Sequence, residues 1–159
     1  MKLWAFSLIL FACAAAAAPP PRIVAAAGRW AALSGQAQCD AASLSLLPAS
    51  KTRLQGRVSL TFDRRARNGQ FAAALSKPVA PSTSVLLTIE EEQYLLVARG
   101  FGAWSRGPAQ EAAILAALRR ATRMRIEGRS VRGLRFIDRY DLTGAPTAID
   151  AAAACSAKL

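Results

Sequence analysis

Residues 57–63 alternate strictly, with Val58, Leu60 and Phe62 on one side and Arg57, Ser59, Thr61 and Asp63 on the other. That is the pattern of a half-buried strand. Residues 64–69 follow as a polar turn ending in an Asn-Gly step, and 70–76 resume as its hairpin partner, broken by Lys77-Pro78 and Pro81-Ser82. Two more β-favouring runs, 85–89 and 94–97, are nearly continuous in apolar character and predict strands at the centre of the core. The acidic stretch Glu90, Glu91, Glu92 and Gln93 between them reads as a hairpin connection. Residues 100–107 are punctuated by three glycines and predict a loop carrying Phe101 and Trp104.

Pro108 is placed to open a helix over 108–122, with Glu111 near its positive end and Arg119 and Arg120 near its negative end. Ile114, Leu115 and Leu118 give that helix one apolar stripe. Met124 and Ile126 alternate with Arg123, Arg125 and Glu127 as a short strand; Gly128 begins a turn into a last strand near 131–138. The tail reads as a loop and an alanine-rich helix from about Ala145, ended by Cys155. The elements sum to a mainly β class, an antiparallel β-sandwich-like domain with two short α-helices near 108–122 and 145–154.

The N-terminus changes the picture from fold to compartment. Lys2, an apolar stretch over 3–13 and an alanine run over 14–18 have the layout of a secretory signal peptide, 1–18, cleaved within the alanines. The stretch falls short of the roughly 20 apolar residues that a membrane-spanning helix needs. Leu10-Phe11-Ala12-Cys13 also resembles a bacterial lipobox, which would acylate Cys13 and hold the protein on a membrane. The expected location is periplasmic or secreted, with a lipoprotein anchored through Cys13 as the alternative. Residues 19–28, rich in proline and alanine, read as an extended linker. A single domain of about 130 residues, 29–159, then has a normal length for burying its own core.

Beyond the leader only Cys39 and Cys155 remain, and an even cysteine count in an exported chain points to a disulfide. Free thiols or a metal pair are the alternative, and a metal would need soft ligands that the chain lacks. The formal net charge is +11, of which Lys2 leaves with the leader. Arginine supplies most of it. A coding bias behind the abundant Ala and Arg, without binding meaning, is one reading; a polyanion or anionic-surface site is the other.

The chain has no histidine, which removes Ser-His-Asp, Cys-His and the common zinc catalytic sites. The segment 128–133 is one residue too long for a nucleophile elbow and reads as a turn. Gly100-Phe101-Gly102 lacks the spacing of a dinucleotide loop. Glu90, Glu91 and Glu92 project in alternating directions, so a solvated turn suits them better than a hard-cation site. No catalytic residue, cofactor site or metal site is therefore assigned.

The order of the pieces, a leader, an early Trp30 segment with Cys39, a strand-rich middle, the helix 108–122, a basic strand pair and a closing Leu142-x-Gly144-x-x-x-Ala148 helix, resembles the invasion-associated locus B family of exported bacterial proteins. The resemblance implies a single β-sandwich domain of the cell envelope without enzymatic activity. Members usually carry additional paired cysteines, and this chain has only Cys39 and Cys155 beyond the leader.

Two binding modes follow. In the first, a protein or another envelope component docks on Phe101 and Trp104, since loop aromatics offer contact area at little entropic cost; covering the edge of the core is their structural alternative. In the second, Arg119, Arg120, Arg123 and Arg125, followed by Arg129, Arg132, Arg135 and Arg139, bind an anionic surface such as lipid headgroups or lipopolysaccharide. Export, and the lack of aromatics interleaved among the basic residues, argue against nucleic acid.

Overall fold

The structure, a computed structural model, describes residues 19–64 and 69–159. The expected leader with Cys13, and residues 65–68 of the first polar turn, lie outside the described residues. The elements run β1 (Arg22–Ala27), β2 (Trp30–Ser34), β3 (Cys39–Leu44), β4 (Arg57–Phe62), β5 (Gln70–Val79), β6 (Val85–Ile89), β7 (Glu92–Trp104), α1 (Pro108–Arg120), β8 (Arg123–Arg129), β9 (Arg135–Asp141) and α2 (Ala145–Ser156). The strands form one antiparallel sheet in the order β1-β2-β3-β4-β5-β7-β6-β8-β9. The mainly β, antiparallel class with two helices is thus present, and its layers are two halves of one continuous sheet.

β7 joins the halves. Its first part pairs with β6, from Glu92 opposite Ile89 to Leu96 opposite Val85, and its last part pairs with β5, from Gly100 to Trp104. The change of partner falls at Gly100, whose φ of 57° lies in the left-handed region that glycine enters without steric cost. β5 shifts register at the same level, between Ala74 and Val79. A bulge of this kind bends a strand and adds twist, so both long strands turn together.

Four sequence expectations are corrected here. The stretch expected as a linker carries β1, which pairs with β2 along the sheet edge; its small residues and flanking prolines hid an edge strand with no large inward side chain. β5 continues through Lys77-Pro78 to Val79 because the proline sits in the irregular part of the ladder, where no N–H is required of it. The expected loop 100–107 is strand up to Trp104. Finally, Gly128 lies inside β8, and the last strand begins at Arg135 rather than near Val131.

Alternation places Trp30, Ala41, Val58, Leu60, Phe62, Phe71 and Leu75 inside one half and Val85, Leu87, Ile89, Met124, Ile126 and Tyr140 inside the other. All join a single hydrophobic cluster with Ile114 and Leu118 of α1 and Ile149 and Ala152 of α2. Each large side chain buried there contributes about 1.5–3 kcal/mol relative to exposure. α2 is held at both ends. At its start Gly144 (φ 87°) comes so close to the turn after β1 that an added Cβ would lie 2.0 Å from the Ala27 carbonyl oxygen, while Trp30 Nε1 donates to the Asp141 carbonyl at 3.0 Å. At its end Cys155 is disulfide-bonded to fully buried Cys39, with a Cα–Cα distance of 6.0 Å across 116 residues of sequence.

A polar seam ties the halves together inside. The Ser76 amide on β5 donates to Asp138 Oδ2 on β9 at 2.9 Å, and Asp138 is completely buried. Gly56 makes room for the pair, because a Cβ there would come within 3 Å of both the Asp138 carboxylate and the Tyr140 hydroxyl. Burial, reinforced by the negative charge of Asp138, pushes the Tyr140 phenol well above its ordinary range. Further bonds run from the Leu46 amide to the Arg139 carbonyl and from the Val131 amide to the Pro78 carbonyl, at 2.8 and 2.9 Å.

Candidate functional site

Most outward side chains of β8 and β9 are arginines, interrupted by Glu127 on β8 and by Ile137 and Asp141 on β9. On β8, Arg123, Arg125 and Arg129 are exposed and alternate with buried Met124 and Ile126; on β9, Arg135 and Arg139 alternate with buried Phe136, Asp138 and Tyr140. Register then decides which of them meet. Gln93 lies opposite Thr88, Thr88 opposite Arg125, and Arg125 opposite Arg139. Four strands therefore present one row of hydrogen-bond donors, with two guanidinium groups as direct cross-strand neighbours.

Around this row most of the other charges are committed. Glu90 accepts from the Arg123 side chain at 3.1 Å, from the Thr122 amide at 2.9 Å and from the Thr122 hydroxyl at 2.8 Å. The Thr122 bonds, backbone first, hold its carboxyl below the usual range, with smaller help from Arg123. Arg120 pairs with Glu92, which also accepts from the Tyr94 hydroxyl at 2.6 Å. Partial burial, and then that hydrogen bond, push the Tyr94 phenol up to about 12. Arg119 reaches Asp150 on α2 at 2.7 Å, and Arg135 pairs with Glu127 at 2.7 Å. Arg129 donates to the Gly133 carbonyl at 3.1 Å.

The four arginines singled out from the sequence are therefore not one cluster. Arg119 is bound to the second helix, Arg120 and Arg123 are neutralised by Glu92 and Glu90, and Arg125 stays on the row with only a 3.9 Å approach to Glu127. Arg139 has no ion pair or side-chain hydrogen bond among the described residues. A surface cavity of about 500 Å³ lies over this region, lined among others by Thr88, Glu91, Gln93, Arg125, Arg139 and Leu46. Thr88 is buried, and its hydroxyl has no hydrogen-bond partner. Thr88 and Gln93 carried no signal in the sequence, since only the register of β6 and β7 puts them beside the arginines.

The other candidate surface is on the opposite half. Phe101 and Trp104 are 45% and 41% exposed on the last part of β7, but three residues apart on one strand they fall on opposite faces: Trp104 points outward, while Phe101 lies on the side of buried Ala103, at the edge of the core. Trp104 heads a cross-strand row of small residues: Ala72, Ser59, Ala42, Ala31 and Ala26. α2 packs on the far side of these strands, against the face that holds Cys39 and Trp30.

Among the described residues no group of three or more acidic, cysteine or histidine side chains is placed to hold a metal ion, and Glu90 and Glu92 of the acidic turn are engaged by the Arg, Thr and Tyr partners just described. Among the same residues no helix is long and apolar enough to cross a membrane. No protein-family model matches the chain, and no curated protein or solved structure is significantly similar to it.

Proposed function

We propose that this chain is an exported, non-catalytic binding module of the bacterial cell envelope, of the invasion-associated locus B type, that recruits a protein or envelope component on the outer face of its sheet. The leader supplies export to the periplasm or beyond, with lipid attachment through Cys13 as the alternative route to a membrane. The Cys39–Cys155 bridge fits an oxidising compartment.

The observation that carries the binding role is the exposure of the Trp104 ring on the outer face of a hydrogen-bonded strand rather than on a loop. Rings held by a ladder lose little freedom on docking, which favours them as anchors. Capture from an envelope extract, comparing wild type with Trp104→Ala, tests the reading. The expected result is loss of the captured partner with thermal stability nearly unchanged, as for other surface substitutions. Unchanged capture together with a lowered melting temperature assigns Trp104 to stability and contradicts the proposal.

A second reading, binding to anionic surfaces, is favoured by the placement of Arg125 and Arg139 side by side. Ion pairing of Arg119, Arg120, Arg123 and Arg135 narrows its extent. A broad polyanion stripe is thereby reduced to a local site.

A further inference from the structure

Arg125 and Arg139 are directly opposite each other on neighbouring antiparallel strands, a relation that sets Cα atoms roughly 4.5–5.5 Å apart. Like charges so placed destabilise a sheet. Their neighbours offer little relief, because Glu127 is already engaged by Arg135 at 2.7 Å and stands 3.9 Å from Arg125. On the other side of Arg125 lies Thr88, buried and with an unpartnered hydroxyl, and beyond it Gln93 with an amide donor. All four side chains line the same cavity. An unpaired hydroxyl away from water is unfavourable, so the row combines two costs that one ligand would relieve.

The ligand's chemistry follows from the donors. Two guanidinium forks, each suited to bidentate contact, favour a carboxylate or a phosphate. A third and a fourth donor from Thr88 and Gln93 exceed what a planar carboxylate with two oxygens accepts comfortably. A tetrahedral oxyanion offers oxygens in enough directions for all of them. Two carboxylates also line the cavity: Glu90 is paired with Arg123, while Glu91, without an ion pair among the described residues, repels an anion and limits the site to a single compact group.

We propose that Gln93, Thr88, Arg125 and Arg139 form a binding site for one phosphate group, either free or carried as a lipid headgroup. The proposal rests on the reading of the sheet's outer face as a binding surface, but it uses the half that does not carry Trp104.

Calorimetric titration of the disulfide-bonded protein with inorganic phosphate at low ionic strength is the test. A saturable one-to-one isotherm is expected, weakened at least tenfold by Arg139→Gln, several-fold by Thr88→Val, and tightened two- to threefold by Glu91→Gln. Arg139→Lys restores only part of the affinity, because a point charge replaces a fork. Circular dichroism confirms that each variant is folded. Absence of saturation in the wild type, or wild-type affinity in Arg139→Gln, overturns the proposal.

Co-sedimentation with phosphatidylcholine vesicles, with and without phosphatidylglycerol, separates the two sources. Phosphate binding without sedimentation assigns a free phosphate group; sedimentation that Arg139→Gln removes and phosphate competes away assigns a headgroup. Sedimentation indifferent to Arg139→Gln contradicts the site. Trp104→Ala carried through the titration, and Arg139→Gln carried through partner capture, show which reading has failed if one does.

Discussion

The two halves of the sheet share one core and differ in what they show to the outside. Across β1–β5 the central outward row is Ala26, Ala31, Ala42, Ser59 and Ala72, ending at Trp104; across β6–β9 it is Gln93, Thr88, Arg125 and Arg139. The first half is also the clamped one, with α2 bonded to β3 through Cys39–Cys155 and pressed at Gly144 against the turn after β1. The second half has no covalent tie, and its surface charges are mostly matched in pairs. Exposed pairs of this kind contribute only about 0–1 kcal/mol each. The covalent clamp and the unpaired arginines thus lie at separate ends of one sheet, with β7 and the Asp138 seam holding the two ends in register.

The largest test of that division is removal of the clamp. Cys39→Ser with Cys155→Ser releases a closure of 116 residues, worth about 4–5 kcal/mol in the chain-entropy model. Urea unfolding is expected to show a loss of that order, with early loss of amide protection in β1–β3 and α2. A loss spread evenly over both halves would contradict a clamp confined to the first half.

A smaller effect is expected at the seam. Asp138→Ala leaves the Ser76 amide without its acceptor inside the core, a cost of about 1–3 kcal/mol. Thermal unfolding checks the magnitude. Separation into two transitions would show that the halves hold together chiefly through this contact, whereas one lowered transition places the coupling in β7 and the shared apolar cluster.

The smallest effect belongs to the charged half. Tyr94 has a phenol raised to about 12 by partial burial and by Glu92, against an unfolded value of about 10. A raised folded value gives stability that is complete below the unfolded value and lost as pH rises through the folded one. Stability measured from pH 10 to 12 is therefore expected to fall less steeply in Tyr94→Phe than in wild type. Parallel curves for the two proteins would assign the alkaline loss elsewhere, Tyr140 first.

Where alternation or helical periodicity was intact, the sequence was readable to within a few residues. β4, β6, α1 and α2 all lie where Val58-x-Leu60-x-Phe62, the 85–89 run, the Ile114 and Leu118 stripe and the alanine-rich tail predict them. Elements without a periodic apolar face were missed: β1 is built from small residues at an edge, and the end of β7 hides behind Gly100 and Gly102, which mark a bend rather than a loop. The arginines were legible one by one. Their convergence was not, because cross-strand register depends on the turn geometry and the swap of β7 between partners, which place Thr88 beside Arg125 and Gln93 beside Thr88, while Arg119 on α1 meets Asp150 of the other helix.

The most direct test of the proposed phosphate site is a map of backbone amide chemical shifts during titration with inorganic phosphate. Saturable shifts confined to the row of Gln93, Thr88, Arg125 and Arg139 and its immediate neighbours are predicted, with Ala31, Ala42, Ser59 and Ala72 unmoved. Shifts centred on the alanine row, or scattered over every exposed arginine without saturation, would contradict it.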